Sequence, residues 1–116
     1  MRKLTEKDVK FFISCEEEYA LVRGNAIASG NDEEDAEVEK TIIDDYNNGN
    51  SWAWCCVKVT AKWNGFEASD YLGCCSYKNE DDFKIGGYYE QMKAEALEQL
   101  NNELAEIADK LKLLES

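Results

Sequence analysis

The dipeptide Asn64-Gly65, set between two β-rich runs, constrains this chain more than any other feature. A two-residue hairpin loop of type I′ needs positive φ at both central positions, and Asn-Gly meets that need with least strain. A loop of fixed length also fixes the register. Trp63 then faces Phe66, Lys62 faces Glu67, Ala61 faces Ala68, Thr60 faces Ser69, Lys58 faces Tyr71 and Val57 faces Leu72. Side chains alternate across a strand. One face therefore carries Ala53, Cys55, Val57, Val59, Ala61 and Trp63 with Phe66, Ala68, Leu72 and Cys74, and reads as core. The other carries Trp52, Trp54, Lys58, Thr60 and Lys62 with Glu67, Ser69, Tyr71, Cys75 and Tyr77. Asp70 falls on the apolar face opposite Val59, which predicts a bulge near Ser69-Asp70 or a register shift further along.

The hairpin, residues 52–77, sits among four other segments. Residues 8–15 are apolar and β-rich and predict a strand, with a helix as the rival because Thr5 and Asp8 form a start signal. Residues 20–31 are small, polar and glycine-containing and read as a loop. Residues 32–48 predict a helix. Asn31 or Asp32 caps it, acids fill its first turn, and Val38, Ile42 and Tyr46 form its stripe with Ile43 beside them. After a short turn at Glu80-Asp81-Asp82-Phe83 and the break at Gly86-Gly87, residues 88–114 predict a long helix. Its leucines and isoleucine (97, 100, 104, 107, 111, 114) recur at alternating spacings of three and four, a heptad seam. A sheet of about three strands is too small to cover a helix about 40 Å long, so its distal half offers a homodimer contact. The order β-α-β-β-α makes a single α+β domain, an antiparallel sheet with helices on one face.

The helices of such a fold cover one sheet face. Trp52, Trp54, Tyr71 and Tyr77 on the opposite face then form an exposed aromatic patch, a usual mark of a partner surface. The competing arrangement folds the loop at 20–31, or the turn around Phe83, over that face and buries it.

Charge narrows the function classes. The 116 residues carry a formal net charge of -12 and no histidine. Direct nucleic-acid binding needs lysine and arginine against phosphate, and anionic membranes need the same, so neither is expected. A basic protein is the natural complement. The carboxylates cluster at Asp32, Glu33, Glu34, Asp35, Glu37, Asp44 and Asp45, which with the four aromatics are the candidate partner-binding residues. No stretch approaches the roughly 18 apolar residues that span a bilayer, and the charged start lacks a signal-peptide core, so a cytosolic protein with reduced cysteines is expected.

No cofactor, metal or catalytic residue is expected. Without histidine there is no Ser-His-Asp or Cys-His pair. Neither Arg23-Gly24-Asn25 nor Gly86-Gly87 has the spacing of a phosphate-binding loop. The pairs Cys55-Cys56 and Cys74-Cys75 put adjacent thiols on opposite strand faces, unlike zinc spacing, and Cys55 and Cys74 read as small core residues facing each other.

The run VRGNAIASG, then WAWCCVKVTAKWNGFEASDYLGCCSY, then DDFKIGGYYEQMKAEALEQL resembles a group of small uncharacterised bacteriophage and mobile-element proteins, over roughly residues 20–100. The resemblance implies an accessory gene acting in the host cytoplasm, where inhibitors of host defence are common. The expectation is an acidic protein that binds and inhibits or modulates a nucleic-acid-handling defence complex, an anti-CRISPR-like DNA mimic. Two alternatives stand beside it: a small-ligand, nucleotide-like binder using the aromatic sheet face, and a structural homodimer held by the C-terminal helix.

Overall fold

A computed structural model describes residues 2–115. The chain folds as α+β. Strand β1 (Lys10–Glu16) is followed by helix α1 (Asp32–Asn47), a 3-10 turn (Ser51–Ala53), strands β2 (Cys55–Trp63) and β3 (Phe66–Cys75), helix α2 (Glu80–Ile85), helix α3 (Tyr88–Lys112) and a final 3-10 turn (Leu113–Glu115). The sheet is antiparallel in the order β1-β2-β3.

The hairpin turns at Asn64 and Gly65, with φ of 52° and 88°, as type I′ geometry requires. The register is the expected one from Trp63↔Phe66 to Val57↔Leu72. Asp70 stays half-buried opposite Val59 without a bulge beside it. The irregularity comes later. Cys56 alone opposes Gly73 and Cys74, and Cys74 takes a positive φ of 55°. The extra residue exchanges the faces of the last two cysteines. Cys75, not the expected Cys74, pairs with Cys55 and is buried, while Cys74 is exposed.

Helix α3 packs along one sheet face. Met92, Ala96, Leu100 and Leu104 recur every fourth residue and are buried. Leu100 and Leu104 meet Leu4, Val9, Ala61 and Ala68 near the hairpin turn. Met92 meets Cys55, Val57, Val59, Cys75 and Phe83 at the other end. The Asn101 amide clamps the N-terminal segment to α3, accepting from Leu4 N at 2.8 Å and donating to Leu4 O at 3.0 Å. Beyond Leu104 the sheet runs out, and Ile107, Leu111 and Leu114 are exposed.

Helix α1 does not join this layer. None of its residues is buried, and it packs on the 3-10 turn at the far end of the sheet rather than on the sheet face where α3 lies. Asn31 caps it by accepting from Glu33 N and Glu34 N. The molecule is correspondingly long, 66 × 23 × 22 Å, with a radius of gyration of 18.5 Å. A compact chain of this length would have about 13 Å.

Candidate partner-binding surfaces

The exposed aromatic patch expected from alternation is not formed. Trp54 is 6% exposed, and its indole N–H donates to Ala20 O at 2.8 Å. Trp52 and Tyr77 are half-buried around Phe83, with ring centroids 5.9 and 5.3 Å from it. Of the two covering segments weighed from the sequence, the loop after β1 meets Trp54 through Ala20, whereas Phe83 of α2 lies in the core beneath α3 and draws Trp52 and Tyr77 to that side instead of covering the opposite face. The physical reason lies at the strand ends. Trp52 belongs to the 3-10 turn, Trp54 precedes β2 and Tyr77 follows β3, so none obeys the two-residue alternation used to place it. Of the four aromatics, Tyr71 alone stays exposed, at 58%.

The open face is built by three strands, in rows set by the register. Lys10, Lys62 and Glu67 form one row, Phe12, Thr60 and Ser69 the next, Ser14, Lys58 and Tyr71 the third. Each exposed ring carries a cation: Lys62 Nζ lies 4.9 Å from the Phe12 centroid and Lys58 Nζ 5.7 Å from that of Tyr71. Lys62 also pairs with Glu67 at 3.4 Å, and the Thr60 and Ser69 hydroxyls meet at 2.8 Å. A shallow cleft of about 230 Å³ lies here, lined by Phe12, Ser14, Lys58, Thr60, Lys62 and Glu67. That is below the roughly 300–1,000 Å³ of small-molecule sites. Sequence reasoning missed Lys10, Phe12 and Ser14. Their signal was the alternation in KFFISCE, which places them outward once β1 is known to pair with β2.

The carboxylate cluster stands on α1. Asp32, Glu33, Glu34, Asp35, Glu37, Glu39, Asp44 and Asp45 oppose Lys40, a net -7 of the chain's -12. They are not equivalent. Asp35 is spent on the approach to the helix, accepting from Ser29 Oγ at 2.6 Å and, at longer range, from Ser29 N. Asp35, Glu39 and Ile42 lie on the half-buried side of the helix, whereas Glu33, Glu37, Lys40, Ile43 and Asp44 are exposed. Helix α1 is held at its base: Asn50 N donates to Asp45 O and Asn50 Nδ2 to Lys78 O.

Burial makes the core thiols poor nucleophiles. It pushes Cys75 up to about 11, and burial together with the neighbouring Cys15 thiol pushes Cys55 further. Among the described residues, no group of three or more cysteines and carboxylates is placed to hold a metal ion. Among them too, no helix is long and apolar enough to cross a membrane. Compared with protein-family profiles, curated proteins and solved structures, the chain matches none.

Proposed function

We propose that this chain is a protein-binding module, not an enzyme, that offers α1 to a basic, nucleic-acid-handling partner and blocks the surface where that partner takes phosphate. The observation that carries the reading is α1 itself: sixteen residues, net -7, with nothing buried. Spread over about 24 Å, seven charges give one per about 3.4 Å, the density of a single strand of a DNA duplex. A helix of this length is marginal in water without packing. Ile43, 41% exposed on the flank of the acidic row of Glu33, Glu37 and Asp44 and next to Lys40, gives a partner apolar area to cover as well as charge. The further reading is an anti-CRISPR-like inhibitor acting in a bacterial host; it rests on the charge of α1 and on the likeness to bacteriophage proteins expected from the sequence. The exposed seam at Ile107, Leu111 and Leu114 supports a second contact, pairing the end of α3 with another helix.

The test is a pull-down from nuclease-treated bacterial lysate, with the full chain and a Glu33→Lys, Glu37→Lys, Asp44→Lys variant as baits. A basic nucleic-acid-binding protein should be retained by the parent, released by salt or by added DNA, and missed by the variant. Equal recovery by both baits would refute a role for α1.

A further inference from the structure

Two surfaces of this molecule are left uncovered and are complementary to each other. One is the open sheet face, with Lys10, Lys58 and Lys62 around Phe12 and Tyr71. The other is the exposed side of α1, where Glu33, Glu37 and Asp44 form a row with Lys40 among them, and Ala36 and Ile43 lie on its flank. We infer that the open sheet face receives α1 of a second copy of this chain, so that two chains close a reciprocal dimer.

The dimensions agree. Strand β1 pairs with β2 over seven residues, about 23 Å, and α1 is about 24 Å long and 10 Å wide. The charges agree in spacing. Lys10 and Lys62 are neighbours across a strand pair, about 5 Å apart, with Lys58 about 13 Å along from Lys62. Glu33 and Glu37 are about 6 Å apart along the helix, with Asp44 about 10 Å further. Lysine stems cover the difference, and they already lie along the rings of Phe12 and Tyr71. Ile43 and Ala36, on the same side of the helix, then meet those rings. Glu67 is paired with Lys62, so part of the Lys62 charge is already used and Lys10 and Lys58 carry most of the attraction for the docking helix. Glu16 lies at the far end of the face, where Ser14 donates to it at 2.8 Å.

The occupant is a second copy rather than the chain's own α1. Folding back would release the ties at its base: Asn50 to Asp45 and Lys78, and Trp54 to Ala20. Docking in trans keeps them all. A helix strip of about 240 Å², counted on both surfaces at two equivalent sites, is about 1,000 Å² before side-chain relief is added, the threshold of a specific interface.

The dimer and the partner proposed above compete for the same side of α1, and charge reversal separates them because Lys10→Glu with Lys58→Glu and Lys62→Glu leaves α1 intact. Sedimentation velocity on the full chain should show a dimer at about 0.05 M salt that dissociates towards about 0.5 M. The face variant, and separately Glu33→Lys with Glu37→Lys and Asp44→Lys, should each weaken it at least about tenfold. An equimolar mixture of a Lys10→Glu, Lys58→Glu, Lys62→Glu chain with a Glu33→Lys, Glu37→Lys, Asp44→Lys chain should dimerise again, since the reversed groups then meet opposite charges at both sites. Circular dichroism confirms that each variant keeps its fold. A parent that stays monomeric overturns the inference, as does a dimer indifferent to both reversals or a mixture that does not recover.

Discussion

Trp54 separates a surface aromatic from a structural one, and replacing it measures which it is. In Trp54→Phe most of the apolar body is kept but the indole N–H is lost, and Ala20 O loses the donor it holds at 2.8 Å. An unmade hydrogen bond at a half-buried carbonyl costs about 1–2 kcal/mol, roughly 4–12 °C in Tm for a domain of about 100 residues. Trp54→Ala also empties a site that is 6% exposed, for about 3–5 kcal/mol. Urea titrations followed by far-ultraviolet circular dichroism give both numbers without relying on tryptophan emission. A second readout is local. Ala20 belongs to the loop that leads to α1, and Arg23 is exposed on it, so trypsin should cut after Arg23 sooner in Trp54→Phe than in the parent. If both variants stay within about 0.5 kcal/mol of the parent, as surface substitutions do, Trp54 is not pinned under this loop and the account is wrong.

Further outcomes follow from burial and capping. Leu100→Ala, at a fully buried position between α3 and the hairpin, should cost about 2–5 kcal/mol in a denaturant titration, whereas Leu111→Ala, 55% exposed, should stay within about 0.5. Asn31→Ala removes the cap of a helix with no buried residue, so the loss of about 1 kcal/mol should appear as roughly fivefold faster amide exchange in α1 while the global unfolding midpoint holds. Iodoacetamide followed by peptide mass spectrometry should modify exposed Cys74 first and leave buried Cys55 and Cys75 untouched until denaturant is added; early labelling of Cys75 would disprove the bulge. The Arg2 guanidinium, with help from Thr5 N, holds the Asp8 carboxyl well below its usual range. Its contribution is present above the unfolded carboxylate range near 4 and is lost as pH falls, so acid should loosen the N-terminal segment in the parent and less in Asp8→Asn.

Local chemistry dictated several parts of this structure outright. Asn64-Gly65 needs positive φ twice, and that one requirement set the turn, the register and the two faces of the hairpin as far as Val57 and Leu72. Asn31 ahead of four acids set the start of α1, and the leucine seam set α3. These signals depend on neighbours in sequence, so they survive without knowledge of the fold. Long-range packing decided the rest. An extra residue at Gly73-Cys74 put Cys75 rather than Cys74 in the core, because a bulge depends on how two strand ends meet. Trp52, Trp54 and Tyr77 were taken into the interior by a loop and a short helix whose approach no periodicity encodes. The face left in the open is defined by β1 pairing with β2, a contact about fifty residues apart in the chain, which is why Lys10 and Phe12 could not be grouped with Lys58 and Tyr71 from the sequence. The sequence alone set the acidic charge of α1; only the tertiary structure decided that α1 stands clear of the core, because whether an amphipathic helix is covered depends on the area its neighbours have left, and α3 already occupies the sheet's apolar face.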